Sequence, residues 1–251
     1  MKILVAIKQV PVRDSQLKIA PSGLWIDETD LAYEINEPDA YALEEGLQLK
    51  EKHGGEVVVL CAGPARAGQA IREALAKGAD RAIHIEQDMN ALDPLAAARV
   101  LAAAIRSESP DLVLTGLQSD DLGSGQTGVI LAELLGLPHA GIVMEVEALD
   151  ASVRVKREWE GGWFQHVELP LPALLTIQSG IRKLRYATLM GIRKARAKEI
   201  RIVTPEAPSG EPSLVAGRIY LPPQTKQTQI FEGPDAVAKL VEKLRFEARV
   251  L

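Results

Sequence analysis

An alternation constrains this chain most: short apolar runs, each followed by a stretch with helical period, repeat through roughly the first 137 residues. Ile3–Ile7, Glu56–Cys61, Arg81–Ile85 and Asp111–Thr115 read as buried strands. A polar loop through Arg13-Asp14-Ser15-Gln16 follows the first of them. Asn36-Glu37-Pro38-Asp39 then opens a helix: an Asn cap, a Pro in the first turn and acids at the positive end. Ala40, Leu43 and Leu47 keep its period, and Gly54-Gly55 end it. A second helix carries Ala67, Ala70, Ile71, Ala74 and Leu75 and stops at Gly78; a third runs from Asp93-Pro94 through Ile105. Strands joined by such helices make right-handed crossovers, which predicts an α/β fold: a doubly wound, mainly parallel sheet.

In such sheets ligands bind beyond the carboxyl ends of the strands, where strand order reverses. Those ends are Ala6-Ile7, Cys61-Ala62-Gly63, the His84-Ile85-Glu86 turn and the stretch from Thr115. The richest is Asp111–Gly128, DLVLTGLQSDDLGSGQTG. Its strand breaks at Gly116 into a polar loop with Gly123 and Gly125, and Val129, Ile130, Leu131, Leu134 and Leu135 then resume a helical pattern. Glycines let backbone approach a ligand, and a helix N-terminus favours an anion. Ser124, Gln126 and Thr127 add side-chain donors. The alternative is an ordinary strand-to-helix loop capped by Ser124 or Thr127. Neither GK[ST] nor GxGxxG occurs, so neither standard phosphate fingerprint applies.

The pattern changes after Pro138. Gly141–Ala148, Ser152–Trp159, Gln165–Leu169 and Ala173–Ile177 read as strands, with Glu160-Gly161-Gly162 as a hairpin turn, predicting an antiparallel extension. Arg182–Lys198 then holds seven basic residues and no acid. A solvated helix face explains such a run. Yet Tyr186, Leu189, Met190 and Ile192 are interleaved, and an apolar tip set in positive charge also suits an acidic partner. From Thr204 to Pro223 the chain is rich in Pro, Ser and Gly, with Pro205, Pro208, Pro212, Pro222 and Pro223. The expected division is therefore an α/β domain over 1–203 and, over 204–251, an extended arm ending in a short helix, Ala236–Leu244, that lies on another subunit.

Composition narrows the chemistry. A net charge of −5 argues against a nucleic-acid surface, and 4% aromatic content against stacking platforms. The single Cys61 precludes intrachain disulfides, reads as a small core residue and suits a reducing cytoplasm. Met1-Lys2-Ile3-Leu4-Val5 is already strand-like, so no signal peptide is expected, and no apolar run approaches the ~18–20 residues that span a bilayer. The expectation is a cytoplasmic protein without membrane insertion. His53, His84, His139 and His166 are scattered without metal-ligand spacing. No GxSxG elbow occurs. Asp120-Asp121 reads as a solvated pair pointing apart. No catalytic residue is predicted; a nucleotide-binding role is.

The stretch Val155–Thr176 resembles the beta subunit of electron-transfer flavoprotein. Arg157, Glu160-Gly161-Gly162, Gln165 and the strand from Pro172 to Thr176 follow that family's signature. Val5–Pro11, Ala76–His84 and Arg185–Leu189 are similar too, in order along essentially the whole chain. The resemblance implies an α/β domain of the adenine-nucleotide-binding type that pairs with an alpha subunit. The alpha subunit would supply most of an FAD site, and this subunit would hold a structural AMP. Carried over, the AMP site comprises Ala6, Asn36, Glu37, Pro38, Asp39, Ala62 and the loop Gly116, Leu117, Gln118, Ser119, Asp120, Asp121, Leu122, Gly123, Ser124, Gly125, Gln126 and Thr127. Arg185, Tyr186, Ala187, Thr188, Leu189 and Met190 become the segment that recognises dehydrogenases, with Leu189 as its plug. The implied role is an electron carrier, not an enzyme, taking electrons from acyl-CoA or related dehydrogenases to a quinone reductase in fatty acid oxidation.

Two departures stand out. Where the family loop often reads Asn-Gln-Thr-Gly, this chain has Gly125 before Gln126-Thr127-Gly128, which removes an amide contact. The segment after the first strand lacks an aromatic suited to a flavin, so no FAD contact is carried over. One alternative is a bifurcating relative with a second FAD in place of AMP. Its loop resembles Thr-Ala-Gln-Val-Gly, whereas Gln126-Thr127-Gly128 looks like the AMP kind. Another is a stand-alone adenine-nucleotide sensor, and a third is a structural subunit with an empty cleft.

Overall fold

The computed structural model describes residues 1–89, 92–204, 213–223 and 228–251. They form two compact units, Met1–Arg218 and Ile219–Leu251.

In the first unit the apolar runs form parallel strands: β1 (Lys2–Ile7), β4 (Glu56–Gly63), β5 (Arg81–Glu86) and β6 (Leu112–Gly116). Between β1 and β4 lie the short strands β2 (Gln9–Pro11) and β3 (Tyr33–Ile35), which pair antiparallel as a separate ribbon. Then come β7 (His139–Ala148), β8 (Ser152–Glu158), β9 (Phe164–Pro170), β10 (Ala173–Ile177) and β11 (Ile200–Val203). Among the described residues the main sheet has nine strands, in the order β11-β5-β4-β1-β6-β10-β7-β8-β9.

Helices α1 (Glu37–His53), α2 (Gly68–Lys77), α3 (Pro94–Glu108) and α4 (Thr127–Leu135) connect the parallel part. Alternate side chains of each strand face opposite ways, so the sheet sits between two cores. Ile3, Val5, Ile7, Val57 and Val59 join Leu43 and Leu47 of α1 and Ile71 and Leu75 of α2. On the other face Leu4, Val58, Leu60 and Val113 join Ile105 of α3 and Leu131 of α4. Coverage on both faces explains why these strands are continuously apolar.

The antiparallel extension is narrower than the sequence predicts. β7, β8 and β9 form an antiparallel meander, with Glu160–Gly162 at the turn between β8 and β9. β10 departs from the expectation: it inserts between β6 and β7 and runs parallel to both. All five of its residues are buried. Its apolar run marks an interior parallel strand, not a half-exposed one.

The basic run is not one long solvated helix either. α5 covers only Leu189–Ala195, and β11 follows as an edge strand parallel to β5. Arg182 and Arg185 pair with acids of α1, while Lys198 Nζ donates to the carbonyl of Leu75 at 3.0 Å. Lys183, Arg193, Lys194 and Arg196 remain exposed. The second unit carries α6 (Ala236–Glu242), extended by a π-helical turn over Lys243–Glu247, close to the helix expected over 236–244. Of the prolines used to predict an arm, Pro205, Pro208 and Pro212 lie outside the described residues.

Candidate functional site

Chain order reverses around β1. The crossovers through α1 and α2 lead to β4 and β5 on one side of it, and the next strand, β6, returns to the other. Side by side, the carboxyl ends of β1 and β6 part there, as the topology rule requires for a binding crevice. A cavity opens at this point, bounded by Ala6 of β1, Ala62 of β4 and Gly116 of β6.

The sequence of α1 closes its base. Asp39 lies in the first turn and is buried. Its Oδ2 accepts the Lys8 N–H at 2.7 Å and its Oδ1 accepts the Gly116 N–H at 2.9 Å. One carboxylate therefore ties the ends of β1 and β6. Burial pushes its pKa up to about 7, although both backbone donors favour the charged form. Gly116 is dictated by this closeness: a Cβ there would stand 2.4 Å from Asp39 Oδ1 and 2.7 Å from its backbone nitrogen.

Asn36 behaves differently from the expected side-chain cap. Its backbone carbonyl accepts the Ala40 N–H at 2.9 Å, but its side chain makes no capping bond. Instead Nδ2 donates to the carbonyl of Gln118 at 2.9 Å, and Oδ1 accepts the Asp120 N–H at 2.9 Å. Asn36 holds the glycine-rich loop like a pair of tongs. The two neighbouring acids are also engaged, not simply solvated. Asp121 pairs with Lys8 at 2.7 Å, and Asp120 accepts the Glu37 N–H at 3.3 Å and faces Arg13 at 3.9 Å. They do point apart, as expected, and each has a cation near it.

Beyond these anchors the loop lines the cavity with Leu117, Gln118, Ser119, Leu122, Ser124, Gly125, Gln126 and Thr127. Gly123 and Gly125 adopt left-handed backbone, with φ of 61° and 63°. Gln126 precedes α4 without a side-chain capping bond, and Thr127 is the first helical residue, so neither Ser124 nor Thr127 caps it. The first amides of α4 have no intrahelical acceptor, as at any helix N-terminus. Glu37, Pro38, Asp120, Asp121 and Gly123 do not line the cavity; Glu37, Asp120 and Asp121 take part in bonds that hold its loop. Another wall is apolar, from Met89, Leu92, Pro94, Ala97 and Leu101. The sequence reading missed that wall, to which α3 contributes Pro94, Ala97 and Leu101.

The other predicted segment divides by direction. Tyr186 is 93% and Leu189 83% exposed, and Met190 is exposed beside them. Ala187 is half-buried. Thr188 accepts the Gly191 N–H at 3.0 Å and so caps α5. Arg185 turns inward, onto α1. Cys61 is buried, and that burial pushes its thiol up to about 12. Among the described residues no group of three or more His, Cys, Asp or Glu is arranged for a metal, and no helix is long and apolar enough to cross a membrane.

Residues 23–208 match the family model described as the electron transfer flavoprotein domain. Similar full-length relatives share the corresponding name. The "Electron transfer flavoprotein subunit beta" of Methylophilus methylotrophus is 37% identical over 257 residues, covering 96% of this chain and 97% of that protein. The Bacillus subtilis (strain 168) protein of the same name is 34% identical over 260 residues and all of both chains. The Homo sapiens one is 34% identical over 249 residues, 96% of this chain and 97% of its own. Matched along essentially its whole length by these relatives, the chain belongs to the electron transfer flavoprotein family as a beta subunit, an electron carrier rather than an enzyme.

Proposed function

We propose that this chain pairs with an alpha subunit to carry electrons from acyl-CoA or related dehydrogenases to a quinone reductase, in fatty acid oxidation. The pair's FAD, held mainly by the alpha subunit, supplies the redox chemistry. This chain's own residues bind a structural AMP and present the dehydrogenase-docking segment. The observation that carries the reading is the cavity at the carboxyl ends of β1 and β6, lined by an uncapped helix start and by an apolar wall.

The donor set fits an adenine nucleotide. The phosphate faces the loop Ser124–Thr127, where left-handed Gly125 and the first amides of α4 converge. The adenine lies between the small residues Ala6 and Ala62 and the wall from α3. Asn36 and Asp39 hold the loop and the end of β6 that receive these groups. Lys8 offsets Asp121 at the mouth, lowering the repulsion an incoming phosphate meets. The arm that follows the α/β domain lies on the alpha subunit, which covers its exposed apolar residues, Val237 and Phe246 among them. The single buried thiol fits a reducing compartment such as the cytoplasm.

The test is functional. The protein is purified with its natural alpha subunit, mixed anaerobically with an acyl-CoA dehydrogenase and its substrate, and its flavin absorbance is followed. Bleaching without NADH supports the simple carrier. Bleaching that requires NADH favours the bifurcating alternative.

A further inference from the structure

Arg185 adjoins the most exposed apolar side chains of the first unit, yet it makes a different kind of contact. Its guanidinium lies bidentate on Glu44 of α1: Nε donates to Oε2 at 2.8 Å and Nη2 to Oε1 at 2.9 Å. Its backbone N–H donates to the same Oε2 at 3.3 Å, and Nη1 donates to Glu51 at 2.6 Å. Glu44 is buried, and Gln48 donates to its Oε1 at 2.8 Å. Burial opposes the charge on Glu44, but the Arg185 and Gln48 hydrogen bonds outweigh it and hold the carboxyl below the ordinary range. Glu44 and Glu51 likewise hold the Arg185 guanidinium in its charged form.

The far end of the segment is anchored separately. α5 packs so closely on α2 that a Cβ on Gly191 would stand 2.3 Å from the Ala76 carbonyl oxygen. Arg72 Nη1 donates to the carbonyl of Ala195 at 2.6 Å, fastening the end of α5. The stretch Tyr186–Met190 is thus strung between a fork on α1 and a tight seat on α2. An apolar plug on a loose loop loses conformational freedom when it docks, whereas a preorganised one does not. A forked guanidinium specifies direction as well as distance.

We propose that Arg185 is a positioning residue for dehydrogenase docking: the Glu44–Arg185–Glu51 fork fixes the backbone that projects Leu189, and the Arg185 side chain does not itself touch the dehydrogenase. This rests on the reading of Leu189 as the docking side chain. It revises the role implied by family resemblance, in which Arg185 was grouped with the recognition residues.

The test uses the complete flavoprotein with its alpha subunit and an acyl-CoA dehydrogenase as donor, titrating carrier against a limiting amount of dehydrogenase. Arg185→Ala should raise the half-saturating carrier concentration about 10-fold, with the maximal rate within about twofold and flavin content unchanged. Arg185→Lys, which cannot form the fork, should recover only part of the loss. In a Leu189→Ala background, adding Arg185→Ala should cost almost nothing further, because one residue acts through the other. Unchanged half-saturation in Arg185→Ala alongside a rise in Leu189→Ala overturns the positioning role and leaves the docking reading standing. Additive effects of the two changes also overturn it, since they mean that Arg185 acts independently of Leu189. No effect from either variant rejects both. Should Arg185→Ala fail to assemble, Glu51→Ala removes one prong at an exposed carboxylate; a rise of about threefold supports the role and no change overturns it.

Discussion

The Gly116 N–H donates to the Asp39 carboxylate at 2.9 Å, so the strand that feeds the glycine-rich loop is fastened to the first turn of the first helix. The second oxygen of the same carboxylate takes the Lys8 N–H. Two chain segments that diverge to open the crevice are therefore joined beneath it by one buried side chain. That arrangement leaves no room for change at position 116. Gly116→Ala places a methyl against Asp39 and Pro38 and should destabilise the protein by about 2 kcal/mol or more. Thermal melting checks this: a drop of roughly 4–8 °C is expected, and an unchanged midpoint contradicts it.

The Asp39 carboxyl also sets a pH dependence. Its folded-state pKa is about 7 against 3.8 for the free side chain. Between those values the folded protein binds more protons than the unfolded chain, so this group's contribution to stability is greatest below the lower value. It is lost as pH rises toward about 7. Asp39→Asn removes the titration and, at every pH, leaves one backbone donor facing an amide NH2. The melting temperature of the original protein should therefore exceed that of Asp39→Asn by more at about pH 5 than at about pH 8. A gap that is constant, or wider at high pH, counts against this assignment.

Asn36→Ala removes both bonds to the loop at Gln118 and Asp120 while leaving the helix start to its backbone. The fold should survive with a loss of about 1–2 kcal/mol. AMP affinity should fall roughly 10-fold, measured by calorimetry after the bound nucleotide is removed. Unaltered affinity shows that the loop holds its shape without Asn36.

Thr127→Val keeps the shape of the first residue of α4 and deletes its hydroxyl. If that hydroxyl serves the phosphate, the variant purifies with less AMP, and its melting point falls by the lost ligand linkage. Full AMP retention and an equal melting point would rule that contact out.

Leu189→Ala truncates the most exposed aliphatic side chain of the proposed docking segment. FAD content and folding should be untouched, while apparent affinity for the dehydrogenase falls about 30-fold, the equivalent of ~2 kcal/mol at an interface anchor. An unchanged rate at low dehydrogenase concentration removes Leu189 from the docking surface.

What the sequence made legible follows from period and composition. The alternation up to Asp111–Thr115 exposed the crossovers, and the glycines after Gly116 marked the loop that lines the crevice. Ala173–Ile177 was misplaced because a short buried run carries no sign of its neighbours' direction; its partner β6 is distant in sequence. β2 and β3, three residues each, are too short to show a period. The largest gap concerned long-range polar bonds. Asp39 reads locally as an acid complementing the α1 dipole, and Arg185 as surface charge. Their roles come from partners 77 and 141 positions away, which no local pattern encodes.

The most direct test of the account is a denaturing extraction of the protein purified with its natural alpha subunit, counting AMP and FAD by chromatography and mass spectrometry. One AMP and one FAD per pair is the predicted result. Two FADs and no AMP would contradict it in favour of a bifurcating carrier, and an adenine nucleotide on a lone homodimer would contradict the carrier reading altogether.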